Sequence, residues 1–334
     1  MIDNAHTRAV PADRVHWLDR SKGAGILLVV LGHALLGTQA AGLMPADDTF
    51  RALIKGIYNF HMPLFFLLSG ITFEVSARRH SVVRTARDRT VRLLWPFLLW
   101  TYVFLGLQLL AGDAVNSADD LSAGSLIWPL PPREHLWFLW ALFIIQMVTL
   151  PIAAPGRTPR PTRLWLVLAL TAIVLVAVPG LPLGPLTVDA ALHLGIFWLG
   201  VWLARLGPLP SGGVVALLAL AIFAGVQAAS FHLPVTIITI QVIATLLSLS
   251  FVVMMNAPHG EGAAPWRMLA WLGRLSLPIY LAHTVFSAAT RIFLMPLTEN
   301  PVVHLTLGTL AGVIGPILLY HGLRRVGATR LAGF

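Results

Sequence analysis

The chain is 334 residues long, 57% hydrophobic and only 11% charged, with a mean hydropathy of +0.79. Soluble domains carry about 25% charged residues, so this composition excludes a water-soluble globule. Twenty-three Lys and Arg against fourteen Asp and Glu give a net charge of +9, and the lack of any cysteine excludes disulfides, thiolate metal sites, iron–sulfur clusters and covalent cysteine chemistry.

A helix crossing a bilayer needs about 20 mostly apolar residues. Ten stretches qualify, at 21–42, 57–75, 91–112, 135–154, 163–180, 190–206, 213–231, 234–256, 271–295 and 302–322. Strand-length alternation is absent, which argues against a β-barrel. Thr38-Gln39-Ala40 loosely resembles a cleavage site, but the segment before the first stretch is twenty residues long with three aspartates, and the stretch holds a central histidine. It therefore reads as a retained helix and not as a signal peptide.

Charge placement tests this division. With the N-terminus in the cytoplasm and the stretches alternating, nineteen of the cations fall on the inner side, and Arg51, Lys55, Arg133 and Arg291 alone fall outside. That bias is the positive-inside pattern, and it assigns the surplus charge to membrane lipids instead of nucleic acid. The expected architecture is all-α: a single polytopic domain over 1–334, about ten transmembrane helices, a short cytoplasmic segment at 1–20 and both termini cytoplasmic. No linker, low-complexity tract or internal repeat is visible. The missing repeat weakens the case for a carrier built from inverted halves.

In the first stretch, His33 follows Lys22 by eleven residues. Eleven residues rise roughly 16 Å and turn the helix about 20° past three full turns. One face thus carries a lysine at the inner rim and an imidazole near mid-bilayer. In the second stretch, Asn59 and His61 lie near the outer end, and Pro63 should kink the helix. Arg89 and Arg92 enter the third stretch from the inside, spaced i to i+3, with Arg84 and Arg87 just upstream. Juxtamembrane charge on lipid phosphates explains such a cluster adequately; recognition of a phosphorylated cytosolic ligand is the sharper reading.

The outer loop at 113–134 carries Asp113, Asp119 and Asp120, then Pro129, Pro131 and Pro132, which favour a rigid lead into the next helix. There His135 and Trp137 face the outer mouth. Trp137 and Trp140 are ordinary interfacial anchors by position, and Trp128, His135 and Trp137 equally suit a sugar-binding mouth. In the ninth stretch His283 lies about as deep as His33, on a helix of the same direction. Polar groups inside a bilayer are costly and face cavities or pathways. A buried histidine bonded to a neighbouring helix is the plainer alternative for each.

Taken together, several runs resemble the membrane acyltransferase-3 family, in particular its fucose 4-O-acetylase-like branch. The run Trp17-Leu18-Asp19-Arg20-Ser21-Lys22-Gly23 continuing to Gly32-His33 is similar to its first-helix signature. Phe60-His61-Met62-Pro63-Leu64-Phe65-Phe66, Arg89-x-x-Arg92, His135-Leu136-Trp137-Phe138-Leu139 and Ser276-Leu277-Pro278-Ile279-Tyr280-Leu281 up to His283 follow in family order. The resemblance spans residues 14 to 290. It implies a multi-pass protein of the bacterial inner membrane that O-acylates a carbohydrate or lipid-linked glycan, with acetyl-CoA or another acyl-CoA as donor substrate and no bound cofactor or metal. The family's extra extracytoplasmic domain is not seen in this sequence.

Carried over by position, Lys22 and His33 fill the basic-x10-His pair, and Arg89 and Arg92 the Arg-x-x-Arg motif. The resulting expectation places donor phosphates on Lys22, Arg89 and Arg92, and catalysis at His33 with His283. The acceptor falls among Asn59, His61, His135 and Trp137. His33 then serves as general base or takes the acyl group itself; the sequence leaves both open. His283, Asn59 and Tyr280 are candidate oxyanion donors. Two rival classes remain: a glycolipid transporter or flippase coupled through the deep histidines, and a non-catalytic partner in an envelope-glycan complex.

Overall fold

The computed structural model describes residues 16–111, 127–151, 184, 186–257 and 263–334, and among these there are helices and no strands. The stretch predicted at 163–180 lies outside the described residues. The helices are α1 (His16–Ala40), α2 (Asp48–Tyr58), α3 (His61–Arg79), α4 (Val82–Ala111), α5 (Trp137–Thr149), α6 (Val188–Leu206), α7 (Gly213–Ser230), α8 (Ile237–Met255), α9 (Ala264–Arg274), α10 (Ser276–Leu294) and α11 (Pro301–Arg325). A 3₁₀ turn, Glu134–Leu136, precedes α5.

Eight of these segments are long and apolar enough to cross a membrane, counting α2 and α3 as one. Ten were expected. Of the two that are not among the eight, one is undescribed; the other is α5, which has 13 residues and is about 20 Å long. That is short of a hydrocarbon core of about 30 Å, so the turn that opens α5 is free to lie below the membrane surface.

Prolines explain two breaks. A proline nitrogen cannot donate to the carbonyl four residues back. Pro63 and Pro278 each stand third in a helix, where the preceding helix would otherwise run on. The expected kink at Pro63 is thus a clean break at Asn59-Phe60, and the single stretch at 271–295 becomes α9 and α10. Pro96 and Pro316 remain inside α4 and α11.

Helix α1 is the central post, packed on α2, α3, α8, α9, α10 and α11. Its approach to α9 is a backbone contact. A Cβ on Gly23 would strike the Leu269 carbonyl, and one on Gly273 would strike the Asp19 carbonyl. The same reciprocal arrangement joins α3 to α6, with Gly70 against the Phe197 carbonyl and Gly200 against that of Leu67. Small residues of this kind let membrane helices approach closely, where no hydrophobic drive brings them together. The α3–α6 contact is fastened at one end by Glu74, which is buried and accepts from Arg205 Nε and Nη2 at 2.7 and 2.8 Å and from Arg78 Nε at 2.7 Å. A buried carboxylate gripped by two guanidiniums is the arrangement that offsets its desolvation.

Two cavities give helix direction. One is bordered by Val29 and His33 of α1 with the N-terminal parts of α3, α6 and α8; the other by Trp17 and Arg20 with the C-terminal parts of those helices. Helices α3, α6 and α8 therefore run opposite to α1. Because the chain has no cysteine of its own, single introduced cysteines report sidedness directly. Ala46 and Val83 occupy exposed positions on opposite sides in the charge-derived topology. A membrane-impermeant maleimide should label the Ala46→Cys protein in intact cells and reach the Val83→Cys protein only after permeabilisation; the reverse pattern inverts the topology.

Candidate functional site

Three imidazoles meet where α1, α10 and the turn before α5 converge. Ring centroids are 5.0 Å apart for His33 and His283, 5.7 Å for His33 and His135, and 4.7 Å for His135 and His283. His283 and His135 are buried, while His33 is partly accessible and lines the adjoining cavity. The depth match between His33 and His283 read from the sequence is thus a direct ring contact. His135, expected at an outer sugar-binding mouth, lies behind His33 as the third member of the cluster and also borders the cavity. Its neighbours are Phe104 and Tyr280, at 5.4 and 4.9 Å between ring centres.

The hydrogen bonds fix protonation roles. His283 Nδ1 lies 2.7 Å from the Tyr280 carbonyl and 3.1 Å from that of Ile279. A carbonyl only accepts, so Nδ1 carries the proton and a neutral His283 presents a bare Nε2, which has no partner. His283 is then a proton acceptor beside His33, and it becomes an oxyanion donor only when it is charged. Tyr280 gives its hydroxyl proton to the His135 carbonyl, which removes it as a free oxyanion donor and makes it a strut between α10 and the turn. Asn59 Nδ2 donates to Ser230 Oγ at 3.0 Å and to Gln227 Oε1 at 3.5 Å, both on α7. Two imidazolium charges 5 Å apart would repel by about 3 kcal/mol at an effective dielectric of 20. The cluster is therefore suited to holding one extra proton at a time.

The turn that delivers His135 is unusual. Glu134 adopts φ +49, the positive-φ non-glycine residue among the described positions, a conformation that costs of order 1 kcal/mol or more and collects at functional sites. It reverses the chain after the proline-rich lead. Arg133 and Glu134 are tied to α4 through Gln108, at 3.4 Å each.

The cavity measures about 360 Å³. His33, His61, His135 and His193 all border it, as do Asn59, Trp137, Asp189, Glu134, Gln241 and Tyr58. The expected acceptor residues Asn59, His61, His135 and Trp137 are thus gathered on one space together with His33. His61 and His193 repeat the pattern of His283, each donating from Nδ1 to a carbonyl four residues earlier, at 2.9 Å to Ile57 and 2.8 Å to Asp189. Their Nε2 atoms are acceptors. His193 stacks on Phe66 with ring centres 4.3 Å apart, and Trp137 tilts against it at 5.6 Å. His193 and Asp189 were missed from the sequence. Their signal was present: an i, i+4 acid–histidine pair opening the stretch at 190–206 marks one helix face.

The basic residues stand apart. None of Lys22, Arg89 and Arg92 borders the histidine cavity. Lys22 is half-buried on α1, near the Gly23 crossing. Arg89 is half-buried with its guanidinium 5.8 Å from the Phe73 ring centre, whereas Arg92 is exposed in a surface groove with Arg84 and Arg87. The two arginines are one turn apart on α4 and close enough to feel each other's charge, but their surroundings differ. Among the described residues, no three His, Asp or Glu side chains are arranged to hold a metal ion.

A family model described as "Acyltransferase domain" matches residues 15–321. Two curated relatives are similar over part of the chain, both called "Nodulation protein NolL". The protein from Sinorhizobium fredii is 33% identical over 162 residues, 48% of this chain and 41% of that protein. The one from Mesorhizobium japonicum is 32% identical over 131 residues, 38% of this chain and 32% of that protein. The matched part therefore spans less than half the length of either relative. No solved structure matches.

The tie from Tyr280 generates a stability prediction. Tyr280→Phe keeps the ring but leaves the buried His135 carbonyl without its donor, an omission that costs about 1–3 kcal/mol. Thermal unfolding of the purified protein should shift down by several degrees. His33→Gln, at the cavity wall, should leave the midpoint nearly unchanged, and equal effects would contradict the assigned roles.

Proposed function

The chain belongs to the acyltransferase-3 family, and from that premise we propose that it transfers an acyl group, acetyl in the simplest case, from cytosolic acyl-CoA to a hydroxyl of a carbohydrate or lipid-linked glycan at the cell envelope. The observation that carries this reading is the imidazole cluster, whose one accessible member opens on a polar, aromatic-walled cavity. A space of about 360 Å³ falls within the range of small-molecule sites. Its walls carry the carboxylates of Asp189 and Glu134 and several imidazoles beside the amides of Asn59 and Gln241, and this mixture of acceptors and donors complements a ligand rich in hydroxyls. Trp137 and Tyr58 supply flat apolar faces beside them.

His33 acts as general base. Its imidazole takes the proton from the acceptor hydroxyl as that oxygen bonds to the thioester carbonyl carbon, giving a tetrahedral oxyanion. Collapse breaks the carbon–sulfur bond, and the CoA thiolate recovers the proton from the imidazolium. The ester forms, free CoA leaves, and the base returns to its starting state. The neighbouring unprotonated ring of His283, with His135 behind it, stabilises the transient imidazolium through edge-to-face contact. Donor phosphates are held at the opposite end of α1 by basic residues, for which Lys22, Arg89 and Arg92 remain the proposed set.

A carrier would use the same cavity without consuming acyl-CoA, so thiol release separates the two readings. Purified protein given acetyl-CoA and envelope glycan should release free CoA and add one acetyl mass increment to the glycan. His33→Ala should lower that rate by at least about 10³-fold, in line with loss of a general base plus its positioning, with expression and folding intact. Arg89→Ala and Arg92→Ala should raise KM for acetyl-CoA several-fold and leave KM for the acceptor unchanged. An active His33→Ala protein removes the central assignment.

A further inference from the structure

The second cavity lies between the same helices as the histidine cavity, at their other ends. It measures about 520 Å³ and is bordered by Trp17 and Arg20 of α1, Ile71 and Val75 of α3, Leu203 of α6 and Asn256 at the end of α8. Charge placement puts these ends in the cytoplasm. Among the described residues, no carboxylate borders the space. Arg20 does, although it is only 6% exposed, and its Nε is buried without a hydrogen-bond partner. Its guanidinium lies 5.8 Å from the ring centre of Trp266. The buried carboxylate on α3, Glu74, is already held by Arg205 and Arg78.

A guanidinium held nine-tenths buried with an unmade hydrogen bond is costly unless an anion completes it. Its planar fork matches a phosphate or a carboxylate bidentately, and among the described residues no carboxylate borders this cavity. Beside Arg20 the walls are largely apolar, with the Trp17 indole and the polar side chains of His16, Ser211 and Asn256, a mixture that suits an aromatic base carried beside phosphates. Sequence pattern assigned Arg20 no task beyond juxtamembrane charge. The open groove at Arg84, Arg87 and Arg92 lies on the surface of α4, whereas this cavity shares all four of its helices with the space at His33.

We propose that the Arg20 cavity binds the nucleotide end of the acyl donor, with Arg20 gripping a phosphate and Trp17 flanking the base. This rests on the reading of acyl-CoA as donor. It adds Arg20 to the donor-binding residues proposed above, as the arginine that borders a cavity between the same helices as the His33 space.

The test uses the full chain in nanodiscs of neutral lipid, with CoA as probe. CoA should raise the unfolding midpoint of the wild type. Arg20→Ala should abolish that shift and raise KM for acetyl-CoA at least 10-fold with kcat little changed, and Arg20→Lys should fall between. Ser211→Glu adds a negative charge at an exposed position on the cavity rim and should weaken CoA several-fold with Arg20 still in place; if Arg20→Ala does not fold, this variant decides. An Arg20→Ala or Ser211→Glu protein with unchanged KM and an unchanged CoA shift overturns the site while leaving acyl transfer standing. Arg20-dependent stabilisation by phosphatidylglycerol nanodiscs, with none by CoA, assigns the cavity to a lipid phosphate and overturns it as well. A wild type that neither binds CoA nor consumes acetyl-CoA removes both this site and the proposed function.

Discussion

The bond from the Tyr280 hydroxyl to the His135 carbonyl ties the histidine cluster together. It joins α10, which carries His283, to a turn from a distant part of the chain, and thereby sets the third imidazole against the other two. Without that tie the turn would be held by its 3.4 Å contacts to Gln108 and by packing of Leu136 and Phe138. In an apolar surrounding a lost donor is not replaced by water, so the carbonyl itself enforces the geometry. The positive φ at Glu134 is tolerated for the same reason: the flanking contacts over-determine the turn.

The remaining histidines show how a membrane protein keeps imidazoles neutral and directed. His193 and His283 each spend the Nδ1 proton on a carbonyl of their own helix, one turn back, and His61 spends it on Ile57 at the end of α2. The bond is local in sequence in each case, fixes the tautomer and leaves Nε2 as an acceptor. Three copies of one local device therefore give imidazoles of uniform hydrogen-bonding sense. His135 does not use it: its ring meets the backbone of α10 at Tyr280 and Leu281 instead. Its position is thus imposed from another helix.

Much of this was legible in the sequence, and the gaps have a common cause. Hydropathy and charge fix how deep each residue lies along its own helix, which is why Lys22 and His33 fell in register on α1 and His283 was placed at matching depth. They do not say which helices are neighbours. His135 was read at the mouth because an outer loop and tryptophans surround it; its contact with His283 depends on how the turn before α5 packs against α10, which composition does not reveal. The division at Asn59-Phe60 and at Leu275 was hidden as well, since only Pro63 and Pro278 mark the joints. Arg89 and Arg92 show a further limit: the spacing places them one turn apart on α4, but only packing reveals that one lies on Phe73 and the other in a surface groove.

The two cavities raise a question of passage that the packing answers in part. Arg20 and His33 are thirteen residues apart on α1, about 20 Å along its axis. Between the cavities, α3 and α6 touch backbone to backbone at Gly70 and Gly200, and Leu67, Phe197 and Leu247 fill the core beside them. These contacts lie between two cavities that are separate spaces. For the proposed reaction, this arrangement keeps the charged end of the donor and the body of the acceptor at opposite ends of the bundle, with their reacting ends meeting at His33. A carrier working through the same helices would instead have to move its whole cargo past the glycine contacts of α3 and α6 on every cycle.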